Sequence, residues 1–416
     1  MTILKFNFNI SNMYIPRRLA GTLQHALTQF PAVLITGPRQ SGKTTMLREE
    51  VGSEYVYTTF DDPLQREFAR RDPRGFIDQF KGRPAILDEV QYVPEILSTV
   101  KVAIDADRAV TGRWILTGSQ QFGLMHDVSE SLAGRIAVLD LLPFNAAEAV
   151  WQSAQSAMWR GGYPEPALHP ERRDLWLASY VRTYVDRDVR QLRNIGDLRS
   201  FDAFVGLCAA RHGQTLNMAA LSRQLGISGP TVRDWISVLE ASYVLFLLPP
   251  WHRNYGKRVV KSPKSFFVDS ALVTYLTRQP SEDAALAGAM GGALFEGLVV
   301  VEALKSFANR GIRPVMHHWR SHDGLEVDLL LGVGPRLVPV EIKLTSTPRA
   351  GHVRALDKVC EVLGDDVEKH GLLVCRVDKP TPLPGGHLAL PWREFGSWLD
   401  QRLRSPLSPA ADIGGR

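Results

Sequence analysis

The fold of this chain is decided by Gly37-Pro38-Arg39-Gln40-Ser41-Gly42-Lys43-Thr44-Thr45, which contains the phosphate-binding pattern Gly, four residues, Gly-Lys-Thr. Its glycines let the backbone curl so that several N–H groups point at one phosphate. Lys43 adds a positive charge there, and the Thr44 hydroxyl can hold Mg²⁺. An apolar run at 32–36 precedes the loop, and residues 45–49 can open a helix. Strand, loop and helix N-terminus in this order predict a phosphate site on a parallel sheet.

Two carboxylates at the end of another apolar run supply the second half of such a site. Residues 85–87 predict a strand, and Asp88 and Glu89 follow it directly. The aspartate can orient Mg²⁺ through water, and the glutamate can act as general base on an attacking water. Two acids at a strand end can also be solvated turn residues. Their place after a phosphate loop favours ATP hydrolysis, with Thr44 and Asp88 around the Mg²⁺.

A third apolar run, at 113–117, is followed by Gly118, Ser119 and two glutamines. A small polar residue at this point could lie between the phosphate strand and the carboxylate strand. It would then hydrogen-bond the attacking water or the γ-phosphate. Ser119 is the first candidate and Thr117 the second, while a polar turn without a catalytic role is the alternative. Residues 55–60 predict a fourth strand.

The order of these strand-end motifs resembles the AAA+ superfamily across residues 14–150. The resemblance implies an α/β core, a parallel sheet with helices on both faces, bound ATP and Mg²⁺, a helical lid and a homo-oligomer. It also implies an arginine that acts on a neighbouring subunit's nucleotide, for which Arg135 is the candidate. A surface or salt-bridged arginine is the alternative for Arg135.

A helix-turn-helix pattern follows the predicted lid. Residues 218–225 and 230–240 have helical periodicity, with Gly226 suited to cap the first helix and Ser228 the second. Apolar residues of the second helix recur at i, i+3, i+4 and i+7, so its other face points outward. We therefore expect two helices that present a polar face to a partner.

Strand patterns at 243–248 and 266–268 would complete a winged helix around a basic segment. Positions 211–264 hold eight basic and two acidic residues, whereas the whole chain has a net charge of +5. A basic wing that includes Lys264 suits contact with DNA phosphates. Winged helices also dock proteins, so a protein partner is the alternative. The candidate nucleic-acid contacts are Thr231, Arg233, Arg253, Lys257, Arg258 and Lys261.

A second set of acidic residues lies in the last third of the chain. Asp328 is on one predicted strand, and Glu341 and Lys343 share a face of the next because side chains alternate along a strand. With Glu296 from a preceding helix, they could hold Mg²⁺ or Mn²⁺ for phosphodiester hydrolysis, with Lys343 activating water. This set resembles the PD-(D/E)xK nuclease superfamily, although no Pro-Asp dipeptide is present and Glu326 is an alternative ligand. A strand pair with one solvated face is the alternative.

Several short motifs together resemble a widespread prokaryotic ATPase family. They are Gly37-Pro38-Arg39-Gln40, Leu87-Asp88-Glu89-Val90-Gln91, Gly161-Gly162-Tyr163-Pro164 and Glu341-Ile342-Lys343. The resemblance covers nearly the full length and implies an architecture more than a pathway. The implied parts are an AAA+ P-loop core at 1–145, a helical lid or linker at 146–210, a winged helix at 211–282, a mixed α/β restriction-endonuclease-like domain at 283–400 and a flexible tail at 401–416.

Composition places further bounds on function. The chain has 416 residues, 44% of them hydrophobic, and a pI of about 9.1. Its three cysteines form no C-x-x-C pair, so neither a zinc site nor a disulfide framework is expected. No apolar run is long enough to span a membrane and no signal peptide is recognisable, so we expect a cytoplasmic protein. Met13 is an alternative start of the chain.

Two functional hypotheses follow from these motifs. The first is an Mg²⁺-dependent ATPase that engages DNA, with a C-terminal domain that can cut or grip the nucleic acid. The second is a nucleotide-switched protein that binds another protein and carries an inert nuclease-like domain. Stimulation of ATP turnover by DNA separates them, because the switch predicts none.

Overall fold

The structure is a computed structural model that describes residues 14–118, 128, 130–149, 151–183, 198–252 and 262–403. Ser119 lies outside the described residues, as do Arg253, Lys257, Arg258 and Lys261. Three sheets and their helices account for the described chain. Element labels below follow chain order.

The first sheet is parallel and has five strands in the order β2-β3-β4-β1-β5. The strands are β1 (Ala32–Thr36), β2 (Val56–Thr59), β3 (Ala85–Asp88), β4 (Trp114–Thr117) and β5 (Ile136–Asp140). Each apolar run singled out in the sequence forms a strand. Strand β4 lies between the phosphate strand β1 and the carboxylate strand β3, as the sequence predicted.

Helices cover both faces of this sheet because strand side chains alternate between them. Val33 and Ile35 pack under α1 (Leu19–Gln29) and α2 (Lys43–Glu50). Leu34 and Leu87 face the opposite layer. That layer consists of α3 (Pro63–Arg71), α4 (Pro73–Asp78) and α5 (Ile96–Ala106). The predicted α/β core with helices on both faces is therefore confirmed.

A helical segment connects this core to a second, antiparallel sheet. Its helices are α6 (Ala154–Arg160), α7 (Pro164–Leu168), α8 (Arg173–Thr183), α9 (Leu198–Ala210), α10 (Met218–Leu225) and α11 (Gly229–Ala241). The sheet has the order β6-β8-β7 and is built from β6 (Gln214–Thr215), β7 (Leu245–Leu248) and β8 (Lys264–Phe267). Gly226 adopts φ 66° at the end of α10, and Ser228 accepts a hydrogen bond from the Thr231 N–H at the start of α11. Both predicted caps are confirmed.

The last third of the chain forms a mixed six-stranded sheet in the order β13-β14-β12-β11-β10-β9. Its strands are β9 (Met316–Arg320), β10 (Glu326–Gly332), β11 (Leu337–Ile342), β12 (Leu372–Cys375), β13 (Thr381–Pro382) and β14 (Leu388–Pro391). Its helices are α12 (Ser270–Leu276), α13 (Glu282–Ala287), α14 (Gly291–Asn309), α15 (Arg354–Leu363) and α16 (Trp392–Arg402). Strands β9, β10 and β11 are antiparallel, whereas β11, β12 and β14 are parallel. The expected mixed sheet is confirmed.

A large apolar core joins the parts of the chain that follow the first sheet. It extends from Leu142 to Leu403 and includes Tyr163, Trp235 and Phe295 from three different parts of the chain. The first sheet has its own two cores, one on each face. A polar contact bridges the two regions: the Tyr243 hydroxyl donates to Asp140 Oδ1 at 2.6 Å at the end of β5.

Among the residues that the structure describes, no helix is long and apolar enough to cross a membrane.

Candidate active site and a buried carboxylate cluster

The phosphate loop has the backbone that its glycines predict. Gly37 adopts φ 134°, and a Cβ there would lie 2.2 Å from the Leu141 carbonyl oxygen. Gly42 adopts φ 93° at the N-terminus of α2. Lys43 is buried and donates to the carbonyl oxygens of Gly37 and Pro38 at 3.0 and 2.9 Å. Its ammonium is thereby held over the loop, where it can pair with a phosphate.

Asp88 lies beside this loop at the carboxyl edge of the sheet. The Thr44 hydroxyl donates to Asp88 Oδ2 at 3.1 Å, and the Tyr57 hydroxyl donates to the same oxygen at 2.5 Å. Thr117 donates to the other oxygen, Oδ1. Burial and the bond to Asp88 raise the pKa of Tyr57 to about 12. Asp88 and Thr44, the two residues that the sequence assigned to Mg²⁺, are therefore in contact.

Glu89 occupies an unusual backbone conformation next to Asp88. Its φ is 59°, in the left-handed region that residues other than glycine seldom adopt. Its N–H donates to Thr117 Oγ1 at 3.0 Å, and Gln91 donates to its carboxylate. Such strain persists where surrounding contacts fix it, and it is concentrated at functional sites. Thr117, the second candidate, thus binds both carboxylate residues.

The cleft above the loop has a volume of about 630 Å³ and also involves residues that the sequence did not indicate. Helix α8 lines it with Tyr180, Arg182 and Thr183, opposite the loop and Glu89. The Tyr180 hydroxyl lies 2.8 Å from that of Tyr163, in the Gly161-Gly162-Tyr163-Pro164 motif. Tyr180 fits the apolar face of a helix, which is the only signal that the sequence offers for it.

Arg17 is a second residue that the sequence did not indicate. Its buried guanidinium donates to the carbonyl oxygens of Ser41 and Leu142 at 2.7 and 2.6 Å. It also pairs with Glu148 at 3.2 Å. Arg17 thereby ties the phosphate loop to the chain that leaves the first sheet.

Arg135 lies far from this chain's own phosphate loop. It immediately precedes β5, and its carbonyl oxygen accepts from Ala32 N at 3.3 Å, so it is at the amino edge of the sheet. Its guanidinium binds both oxygens of Asp105 at 2.7 and 3.0 Å. In this arrangement its guanidinium pairs with an acid of its own chain.

The predicted acidic residues of the last third do converge. Lys343 Nζ lies 2.5 Å from Glu341 and 3.5 Å from Asp328, on paired strands β11 and β10. Asp328 Oδ2 also accepts from Ile342 N at 2.9 Å. On the other side of the cluster, Glu296 on α14 and Glu326 on β10 both pair with one shared lysine. We call Glu296, Glu326, Asp328 and Glu341 the carboxylate cluster.

The shared lysine is Lys264, and the prediction that it belongs to a solvated basic wing was wrong. Its side chain is only 7% exposed, because β8 packs against the cluster. Lys264 Nζ lies 2.8 Å from Glu296 Oε1 and 3.8 Å from Asp328 Oδ1, and it also pairs with Glu326. The nearby carboxylates outweigh the effect of burial and raise its pKa above the usual range.

Burial also alters the titration of two cluster acids. Burial first, and then the charge of Asp328, raise the pKa of Glu341 to about 8 and that of Glu296 to about 7. Within the described ranges, no group of three or more His, Cys, Asp or Glu side chains could hold a metal ion. The expected three-carboxylate metal site at Glu296, Asp328 and Glu341 is therefore not formed in this arrangement.

Two of the candidate nucleic-acid contacts can be located. Arg233 is exposed on α11. The Thr231 hydroxyl is 2.7 Å from that of Ser228 at the start of the same helix, where it supports the cap. Thr231 thus has a structural partner, whereas Arg233 points away from the core.

Protein-family models match three consecutive stretches of the chain. Residues 29–150 match a model described as an AAA domain. Residues 152–283 and 291–395 match two domains of unknown function, DUF8612 and DUF4143. The first stretch contains the phosphate loop and both strand-end carboxylates.

Two mycobacterial proteins are similar over most of the chain. They are the uncharacterized proteins Rv2008c of Mycobacterium tuberculosis and Mb2031c of Mycobacterium bovis, each 33% identical over 344 residues, which is 82% of this chain and 76% of each relative. The chain belongs to the same family as these two proteins. The names of these family members give no activity.

Solved structures show more distant similarity. The Walker-type ATPase PABY2304 of Pyrococcus abyssi is 15% identical with a TM-score of 0.42, covering 62% of this chain and 95% of that one. A single-substitution variant of RuvB from Thermotoga maritima is 16% identical with a TM-score of 0.29, covering 56% and 88%. Scores this low carry no argument about function. The AAA-domain match together with the loop geometry identifies the first part of this family member as a P-loop ATPase.

Proposed function

We propose that this protein is an AAA+ ATPase in which Lys43, Thr44, Asp88, Glu89 and Thr117 form the hydrolytic site. The observation that carries the proposal is the convergence of the loop and both carboxylates at one edge of a parallel sheet. Thr44 Oγ1 and Asp88 Oδ2 are 3.1 Å apart. Hydroxyl and carboxylate oxygens are the donors that Mg²⁺ prefers, so this pair fits the ion. When bound with ATP, Mg²⁺ would neutralise charge on the β- and γ-phosphates.

Backbone and side-chain groups of the chain itself bind the phosphates and activate the water. The backbone N–H groups of the loop bind phosphate oxygens, and Lys43 offsets the negative charge that develops during transfer. Glu89 accepts a proton from the attacking water. The Thr117 hydroxyl donates to Asp88 Oδ1 and accepts from the Glu89 N–H, which fixes the Asp88 carboxylate relative to the Glu89 backbone. Helix α8 limits access of bulk water to the cleft.

Substitution of the loop lysine and of the general base tests this site. Lys43→Ala removes the phosphate-binding charge, so ATP affinity should be lost. Glu89→Gln should still bind ATP but turn it over at least about 100-fold more slowly, because it cannot accept the proton. The exposed Glu54→Gln is the matched control and should behave as wild type. Wild-type turnover in Glu89→Gln would refute the choice of base.

We further propose that the protein binds DNA through α11 and the basic segment 253–261. The order α9, β6, α10, α11, β7, β8 with a three-stranded sheet supports a winged helix. Arg233 is exposed on the second helix of the turn, and eight basic residues against two acidic ones lie between positions 211 and 264. Burial of Lys264 removes one of these eight basic residues from the interface. Phosphate contacts by such residues make binding depend on salt.

Charge reversal tests the DNA interface. Duplex DNA binding would be measured against salt for wild type and for Lys257→Glu/Arg258→Glu/Lys261→Glu. Loss of three phosphate contacts should reduce the slope of log K against log salt by about 2.7. A control triple reverses exposed basic residues of the last third, Arg349, Lys369 and Lys379. An unchanged slope in the first triple would remove segment 253–261 from the interface.

An oligomer in which Arg135 serves a neighbouring subunit is part of this proposal. The arginine lies at the amino edge of the sheet, where it can reach only a second chain's nucleotide. Specific ATPase activity should then rise with protein concentration, and Arg135→Ala should abolish that rise while ATP binding persists. Specific activity that is constant across the assembly range would count against a role in trans.

A nucleotide-switched protein-binding function is the second candidate, and one observation favours it. Lys264 lies among Glu296, Glu326 and Asp328, so a lysine ammonium already compensates the charge of three of the four cluster acids. DNA would then leave ATP turnover unchanged. ATPase rates with and without duplex, single-stranded and branched DNA distinguish the two functions.

A further inference from the structure

Lys264 and the carboxylate cluster come from different parts of the fold. The lysine begins β8 in the sheet β6-β8-β7, while Glu296 lies on α14 and the other acids on β10 and β11. The two sheets meet so that the ammonium enters between carboxylates that the chain supplies 32 or more positions later. This contact therefore joins the β6-β8-β7 sheet to the last third of the chain.

The ammonium occupies the space between three of the four cluster acids. Its nitrogen is 2.8 Å from Glu296 and 3.8 Å from Asp328, and it also contacts Glu326. A metal shared by these acids would need oxygen distances of about 2.0–2.6 Å. Both cations cannot fit within this space, and their charges would repel each other at such short distances.

The strand that carries Lys264 is also fixed by its own sheet. Its backbone pairs with Leu248 of β7 and Thr215 of β6, so β8 is the central strand of its sheet. All four residues of β8 are buried, and Phe266 and Phe267 anchor the strand in the large apolar core. The backbone of Lys264 therefore cannot move away from the cluster without rearrangement of a buried central strand.

We propose that Lys264 is the resident cation of the carboxylate cluster and excludes a divalent metal from it. The cluster then forms an ionic contact, without a metal ion, that links the β6-β8-β7 sheet to the C-terminal sheet. Lys343 is the second ammonium of the cluster: it pairs with Glu341 and lies at the rim, with its side chain 41% exposed. The proposal does not depend on the ATPase or DNA-binding function.

Binding of Mn²⁺ to the nucleotide-free, full-length protein tests this proposal. Mn²⁺ would be titrated into wild type and Asp328→Asn/Glu341→Gln, with free Mn²⁺ followed by electron paramagnetic resonance. Wild type and the double variant should bind the same amount of Mn²⁺, because wild type holds none in the cluster. A cluster-dependent Mn²⁺ in wild type would overturn the proposal, whether or not any Lys264 variant folds.

Substitution of the lysine provides the complementary measurement. Lys264→Met keeps most of the side-chain volume but removes the charge, so it should gain one Mn²⁺ per chain, and added Asp328→Asn should remove that ion again. Lys264→Arg keeps the charge and should gain none. Lys343→Met is the matched control and should gain none, because Lys264 still fills the centre. A folded Lys264→Met protein without the additional Mn²⁺ would contradict exclusion by this lysine.

Discussion

Thr117 shows how much of the active site one hydroxyl can organise. It donates to Asp88 and accepts from the Glu89 N–H, so it is bonded to both strand-end acids. The sequence placed a small polar residue between the two strands correctly, because the apolar run before it identifies β4. It could not rank Thr117 against Ser119, since the two candidates are two positions apart and the pattern does not define where the strand ends. Ser119 stays a prediction, as it lies outside the described residues.

Thr117→Val should impair catalysis more than binding. The substitution keeps the shape of the side chain but removes both hydrogen bonds, so the metal-binding Asp88 carboxylate and the backbone of Glu89 lose a shared anchor. We expect kcat to fall by about 10- to 100-fold, while the affinity for ATP stays within about threefold. Steady-state turnover and equilibrium nucleotide binding measure the two quantities. Thr58→Val on β2, the edge strand of the same sheet, is the matched control, and an equal loss there would mean that the effect is not specific.

At the scale of elements, local signals predicted the structure well and distant contacts did not. Gly226 and Ser228 identified the turn between α10 and α11 because caps depend on a few neighbouring residues. The alanine and glycine content of segment 281–292 predicts a loose linker, yet the segment contains α13 and the start of α14. Ser281 caps α13 by accepting from Ala284 N, a signal that the high alanine and glycine content concealed.

Helix α11 carries an acid whose titration should affect stability. Burial raises the pKa of Glu240 from 4.5 to about 7, in the wall of a cavity of about 850 Å³ between β5, α11 and α14. A raised pKa means that the folded state favours the protonated acid. This contribution to stability is complete below about pH 4.5 and is lost as the pH rises to about 7.

Glu240→Gln should therefore be more stable than wild type at high pH only. At pH 8 we expect an advantage of about 1–3 kcal/mol in the free energy of unfolding, and near pH 4.5 no advantage. Urea unfolding followed from about pH 4.5 to about pH 8 measures the difference. Glu54→Gln, at an exposed site, should show no such trend. A difference that does not change with pH would mean that Glu240 titrates normally.

At the scale of the whole molecule, buried charges connect parts that are far apart in sequence. Lys305 on α14 donates to the Phe144 carbonyl oxygen at 2.8 Å, and Glu302 on the same helix accepts from Ala146 N at 3.1 Å. Asp269 accepts from Gly162 N at 2.7 Å, within the Gly-Gly-Tyr-Pro motif. Nothing in the sequence indicated these contacts, because each joins residues more than 100 positions apart and no periodicity records such a pairing. Lys264 was misjudged because its carboxylate partners, 32 to 64 positions further along the chain, also leave no local signal.

Lys305→Met should destabilise the protein strongly. Loss of the ammonium leaves Glu302 buried without a compensating charge, in a site where burial already raises its pKa to about 7. We expect a loss of about 3–5 kcal/mol in the free energy of unfolding. Lys358→Met, which removes an ion pair with Glu361 at the surface, should cost at most about 1 kcal/mol. Urea unfolding of both variants compares them, and equal effects would show that burial of Lys305 is not decisive.

The continuous apolar core from Leu142 to Leu403 determines how the protein can be divided into fragments. Four parts can be named along the sequence, but cutting between the helix-turn-helix and the last third would expose Phe266 and Phe295 to water on either side of the break. The first sheet has a core of its own residues on each face. For expression, we therefore expect division near residue 141 to be better tolerated than division within the second part, whose shorter pieces should aggregate.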